Sequence, residues 1–309
     1  MRFFMKKFIL LFAALLMFDV AAPFLQTKKE KTAPPAVETT AAPQTTAALT
    51  LPALSENASQ DDGADLARYI GVTAALMPAE YEPEALKAQA LAAITYDKYR
   101  DETGRTLPAL PCADGDALRE QWGGRYEEYY KKFSDAVGDV RRCRITYQGK
   151  PILALSFPLC AGQTEDAKKA LGVELPYLVP VPSPGDRLAP GLTSEKTFES
   201  SEFRALLGLD ADAPETVGVE EASEAGTVLR VAAGGKEFTG AEFVEALGLD
   251  SAAFSVGFKN GKYTVSVTGK GNFVGMSRYG ADFMARQGAD FREILTHYFP
   301  GTEIESDEK

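Results

Sequence analysis

The chain has 309 residues, 45% hydrophobic and 25% charged. That is an ordinary globular balance, with roughly 240 residues left for one large core or two small ones once both ends are set aside. A net charge of -11 excludes a nucleic-acid binder and a basic patch docking on anionic lipid, because both need clustered Lys and Arg.

In chain order, residues 1–25 read as an export signal, with Arg2, Lys6 and Lys7 ahead of the apolar run Phe8 to Phe18. Continued through Asp19 to Leu25, the run reaches the lower length limit for crossing a bilayer. Pro23 follows the small-residue site ending at Ala22 and disfavours cleavage, so a retained anchor is expected over a cleaved peptide. Residues 26–62 are rich in Thr, Ala and Pro without an apolar period, which predicts a disordered linker. If flexible, the linker would reach about 30–35 Å.

Ordered structure is expected from residue 63 to 305, starting with the apolar segment Leu66 to Leu76. Pro83 suits the first turn of a helix running to about Arg100, where its missing N–H is harmless. Leu86, Ala90, Ala93 and Ile94 mark the buried stripe, and its alanines predict a central helix that neighbours approach closely. A loop from Thr106 to Asp116 precedes a segment with Trp122 and a Tyr-rich stretch, helical from Arg125. Arg144 to Tyr147 and Pro151 to Phe157 read as a hairpin about Gln148-Gly149-Lys150. Cys143 and Cys160 flank it, leaving open either a bridge between them or three unbridged thiols with Cys112. The prolines between Leu175 and Asp186 predict irregular structure.

Phe198 to Asp210 is echoed by Phe238 to Asp250, each copy a short capped helix ending in Gly-Leu-Asp, a local duplication or a coincidence. Thr239 with Glu242 forms a capping box. Strands are expected at Val228 to Ala232, Phe254 to Lys259 and Tyr263 to Thr268, with Asn260-Gly261 turning the last pair. Ser277 fits the N-cap of a helix to Gln287, Asp290 with Glu293 caps the last helix, and Pro300-Gly301 ends it.

Two distant segments carry more than fold. Met77-Pro78 runs into Glu84-Ala85-Leu86-Lys87-Ala88-Gln89-Ala90, and Gly269 to Ser277 leads to Tyr298-Phe299-Pro300-Gly301-Thr302. Together they resemble the stage II sporulation protein D family, also seen as the amidase enhancer domain, whose members act on bacterial peptidoglycan. The resemblance implies a single α+β domain, helices packed on antiparallel sheet and hairpins, behind a membrane anchor and linker. It also implies lytic transglycosylase chemistry between N-acetylmuramic acid and N-acetylglucosamine, which needs one carboxylic acid in a poorly solvated cleft. The family's catalytic glutamate falls on Leu76, and an isobutyl group carries no proton. Where relatives read Gly-His-Gly and then Gln after Ser, this chain reads Gly271-Asn272-Phe273 and Arg278.

The sequence therefore predicts an exported, membrane-anchored protein that binds peptidoglycan glycan strands, is catalytically degenerate, and works with a partner cell-wall amidase and membrane partners of the engulfment complex. Glu80 and Glu82 are the candidate substitute acids. Glu84, Lys87, Gln89, Asn272, Phe273, Ser277 and Arg278 are the glycan-binding candidates, in a cleft between the helix at Glu84 and the loop 269–277. Competing readings are an active lytic transglycosylase with a displaced carboxylate and a structural member of an engulfment or wall-synthesis complex. No cofactor is expected. Nor is a metal, since the segment matching the zinc site of some relatives offers only Phe157 and Cys160, and the one histidine, His297, sits beside an apolar stripe.

Overall fold

The computed structural model describes residues 60–306, so the anchor expected at 1–25 and the linker up to residue 59 lie outside the described residues. Helix α1 (Gln60–Leu76) begins inside the segment expected to be linker, and α2 (Pro83–Thr103) follows a short turn. Pro83 opens α2 and Gly104, in the left-handed region at φ 59°, closes it. From Leu86 to Asp97 every residue of α2 but Lys87 is buried, as the alanine-rich face predicted. Around it pack α1, α4 (Tyr126–Val140) and the C-terminal helices α8 (Arg278–Arg286) and α9 (Phe291–Tyr298). Helix α3 (Gly115–Trp122) leads through a single 3-10 turn into α4, and the short α5 (Ala167–Leu171) comes later in the chain.

The sheets are small. Strand β1 (Cys143–Tyr147) lies between β2 (Lys150–Pro151) and β11 (Glu303–Ser306), antiparallel to both. Gln148 and Gly149, at φ 52° and 72°, make the expected turn. The hairpin's return strand stops at Pro151, however, because Ile152 to Leu155 turn into the core. The chain resumes pairing as β3 (Ser156–Phe157), which runs parallel to β10 (Met276–Ser277). This short crossing carries the Val274-Gly275-Met276-Ser277 segment into the core.

Gly275 sits at φ 91°, where a Cβ would run into the carbonyl oxygen of Leu155. Gly275→Ala is expected to cost about 3 kcal/mol, combining left-handed strain with overpacking. Thermal unfolding monitored by circular dichroism should show the melt falling by roughly 6–12 °C. An unchanged melting temperature would mean that this crossing is not rigid.

Residues 193–268 form a second lobe with its own core of Phe203, Phe243, Leu247, Phe254, Tyr263 and Val265. One sheet has the order β4 (Thr193–Glu199), β9 (Lys262–Thr268), β8 (Phe254–Lys259). The other has the order β5 (Val217–Ala222), β6 (Val228–Ala233), β7 (Lys236–Thr239). The repeated sequence proves to be a strand feeding a helix, β4 into α6 (Ser200–Leu206) and β7 into α7 (Gly240–Leu247). Gly208 and Gly248 take matching left-handed conformations at φ 59° and 60°. The equivalent Phe203 and Phe243 meet edge to face with centroids 6.0 Å apart. The expected capping boxes at Thr239 and Asp290 are both formed.

All three cysteines are free. Cys143 belongs to the main core and Cys160 to a separate small cluster with Phe157, Ala253 and Phe273. No helix among the described residues is long and apolar enough to cross a membrane.

Candidate functional site

The turn between α1 and α2, Met77 to Glu82, is tied down from several sides. Arg278 Nη1 donates to the Leu76 carbonyl at 2.8 Å, fixing the peptide at the end of α1. Lys132 Nζ, from α4, donates to the carbonyls of Ala79 at 2.9 Å and Tyr81 at 2.5 Å. Asp282 Oδ1 accepts from Glu82 N at 2.7 Å, while its other oxygen meets Arg286 Nη2 at 2.5 Å. Burial, more than any neighbouring charge, raises the Asp282 carboxyl above the ordinary aspartate range.

Beneath this turn opens a cavity of about 420 Å³. Leu76, Met77 and Pro78 line one side and Trp122, Arg125 and Tyr129 another, with Leu159, Lys270 and Arg278 completing the wall. The aromatic side is preorganised. Trp122 stacks on Phe133 at 5.2 Å between centroids, and Tyr129 meets Trp122 edge to face at 5.8 Å. The Arg125 guanidinium covers Tyr129 at 4.5 Å. Trp122 and Tyr129 are 8% and 5% exposed, so the cavity meets a small part of each ring beside the cations of its wall, a mix of apolar surface and a few polar groups that suits a small polar ligand such as a sugar.

Acids are scarce here. Glu80 is the one carboxylate lining the cavity among the described residues, and it stands 62% exposed at the rim. Its Oε1 accepts from Tyr129 Oη at 3.1 Å and lies 3.4 Å from Arg125 Nη2. Glu82 points elsewhere and contributes only its backbone N–H to Asp282. Leu76, 8% exposed, presents hydrocarbon to the cavity.

The sequence-derived binding candidates distribute unevenly. Arg278 lines the cavity; the others hold the frame. Glu84 accepts from Lys87 Nζ at 2.8 Å and from Phe291 N at 3.0 Å, joining the starts of α2 and α9. Lys87 also reaches Asp139 on α4 at 2.9 Å. Gln89 is 2% exposed within the helical core and would have to leave it to touch a sugar. Asn272 Oδ1 turns back onto Val274 N at 3.1 Å. Phe273, 1% exposed at φ 63°, packs on Phe157 rather than offering a face to solvent. Ser277 caps α8 by accepting from Gly280 N at 3.1 Å and donates to Asp186 at 2.8 Å. The cavity therefore opens not between the start of α2 and the loop 269–277, but between the α1–α2 turn and the α3–α4 junction, with Lys270 as that loop's contribution.

Trp122, Arg125, Tyr129 and Lys270 carried no expected role. Their one sequence signal was the chain's only tryptophan beside a Tyr-rich stretch.

Behind the cavity, Asp186 is fully buried and accepts from Cys160 N at 3.0 Å, Cys160 Sγ at 2.8 Å and Ser277 Oγ at 2.8 Å. Burial, reinforced by the Asp186 charge, pushes the Cys160 thiol far above its usual range, so it stays protonated and donates. His297 Nε2 meets the Pro182 carbonyl at 2.8 Å, at the surface. Among the described residues no group of three or more His, Cys, Asp and Glu side chains is placed to hold a metal ion.

Comparison with known proteins matches this architecture to one family. Residues 62–147, which contain most of α1, the turn, α2, α3, α4 and β1, match the family model described as "Stage II sporulation protein". The stage II sporulation protein D of Bacillus subtilis is 37% identical over 248 residues, covering 76% of this chain and 72% of that protein. Its counterpart from Bacillus amyloliquefaciens is 36% identical over the same shares. The amidase enhancer of Bacillus subtilis is 26% identical over 291 residues, covering 40% of its own length. With the matched region running through the turn that roofs the cavity, and with identity extending over most of both chains, this protein belongs to the stage II sporulation protein D family.

Proposed function

We propose that this protein binds peptidoglycan glycan strands in the cavity beside Leu76 without cutting them, in sporulation-linked remodelling of the cell wall. What supports this reading is a cavity lined by aromatic and cationic side chains, with a leucine at the position to which the family resemblance assigns the acid. General acid catalysis contributes about 10²- to 10⁴-fold, and hydrocarbon cannot supply it. A bound strand would be presented to a cell-wall amidase, a reading prompted by the relative named amidase enhancer. Residues 1–25 would hold the domain at the outer face of the membrane, with the linker spanning the distance to the wall. Membrane fractionation of the full chain checks this: recovery in the soluble fraction after export would contradict it.

Pelleting with purified sacculi tests the binding. The full chain should sediment with sacculi, and Trp122→Ala should weaken sedimentation by about fivefold or more, since one aromatic–sugar contact is worth roughly 1–3 kcal/mol by analogy with ring stacking elsewhere. Because Trp122 also stacks on Phe133, circular dichroism must show the variant folded. Absence of sedimentation by the folded wild type would leave a purely structural role in a wall or engulfment complex.

Glu80 supports the runner-up, an active enzyme with a displaced acid, because it alone brings a carboxyl to the cavity among the described residues. Its open position and its contacts with Arg125 and Tyr129 favour an orienting role for Arg125.

A further inference from the structure

The cavity wall carries Arg125, Lys270 and Arg278 against a single carboxylate, Glu80, in a chain whose net charge is -11. These cations are not equivalent. Arg278 is 4% exposed and holds the Leu76 carbonyl, so its charge is committed to the frame. Arg125 leans over Tyr129 and touches Glu80 only at 3.4 Å, with both side chains more than half in water. Lys270 is half-buried, and its ammonium has no carboxylate and no side-chain hydrogen bond among the described residues. Its backbone is fixed by bonds to Leu159, Lys270 N donating at 2.8 Å and Leu159 N returning at 3.4 Å. Its stem is partly covered and its charge is left for water or a ligand at the cavity.

We infer that Lys270, with Arg125 across the cavity, is a carboxylate-recognition site that selects sugars bearing an acidic substituent over neutral amino-sugar chains. This deepens the glycan-binding reading and rests on it. The geometry divides the work: Trp122 and Tyr129, 8% and 5% exposed, bring a small apolar surface to the cavity, and the two cations of the wall are the groups able to meet a side-arm carboxylate. An ammonium supplies up to three donors that rotate to suit, so it accepts an acid from either of two sources, a lactyl group on the sugar itself or a peptide attached to that group. A neutral chain offers nothing to the ammonium, which must then still shed water on burial. Discrimination thus comes from one charge-assisted bond made or missing.

The test uses the full chain and three probes in equilibrium binding: a neutral N-acetylglucosamine oligomer, a muramic-acid-containing strand stripped of peptide, and the same strand with its peptides. Wild type should bind at least one acidic strand about tenfold more tightly than the neutral oligomer. Lys270→Gln should weaken the acidic strands more than the neutral oligomer and so erase the preference, Lys270→Arg should restore most of it, and raising salt should weaken the acidic strands selectively. The stripped strand winning assigns the sugar's own acid; the peptide-bearing strand winning assigns the peptide's. Equal affinity for neutral and acidic probes, or a preference that survives Lys270→Gln, overturns the inference while glycan binding stands. Failure to bind any of the three overturns the inference and the glycan-binding reading together.

Discussion

Leu76→Glu is expected to give this protein glycan-cleaving activity. The position lines the cavity, its carbonyl is fixed by Arg278, and the turn that follows is held by Lys132 and Asp282. A carboxyl introduced there would sit against Met77, Pro78 and Trp122, surroundings that disfavour the charged form and keep a proton available for a leaving oxygen. Arg278 and Lys270 act in the opposite sense, stabilising the carboxylate left after proton transfer. Incubation with sacculi followed by mass spectrometry should reveal anhydro-muropeptides at a rate roughly 10²-fold or more above wild type, the usual scale of general acid catalysis. Leu76→Gln, which restores the shape without the proton, should yield none. If the folded glutamate variant produces nothing, an acid at position 76 is not sufficient for cleavage in this cavity, and Asn272 and Arg278 become the next positions to vary.

The second large effect is structural. Asp186→Ala removes the shared acceptor of Cys160 N, Cys160 Sγ and Ser277 Oγ, leaving buried donors without partners. The expected loss is about 3–5 kcal/mol, several times a typical surface substitution, because buried donors forfeit water as well as their partner. The loop from Pro158 and the start of α8 should loosen together, since Asp186 joins them, and denaturant unfolding would show a lower midpoint. The pH dependence has a definite sign. Burial raises the folded-state carboxyl above its unfolded value, so the stability linked to its protonation is complete below the unfolded range, near about pH 4, and is lost as pH rises through the raised folded value. The stability gap between wild type and Asp186→Ala should therefore narrow on going from acid toward neutral pH. A gap that widens would reverse the assignment of burial as the dominant influence.

Much of the fold was written locally. Pro83 and Gly104 bracket α2, Asn260-Gly261 turns β8 into β9, and Thr239 and Asp290 cap their helices through side chains within three residues. Such signals survive in a bare sequence because both partners are neighbours. The pairing of β1 with β11 was not legible, since Cys143 meets Ser306 across the length of the domain and neither segment announces the other. The parallel contact of Ser156 with Met276 was hidden for the same reason.

The site shows the same division. Leu76 stood out because a neighbouring motif located it, and Arg278 because it follows that motif's partner segment. Gln89 and Phe273 lie in equally distinctive stretches, yet their side chains turn into the core, a direction that motif spacing does not reveal. Lys270 and Trp122 come together only in three dimensions, from a loop and from the end of α3.

The most direct measurement is product analysis of sacculi incubated with the wild-type full chain. Binding without cleavage predicts protein in the pellet and no anhydro-muropeptides in the supernatant. Anhydro products formed by wild type and abolished by Glu80→Gln would contradict it, and would make the rim carboxylate the acid that position 76 no longer provides.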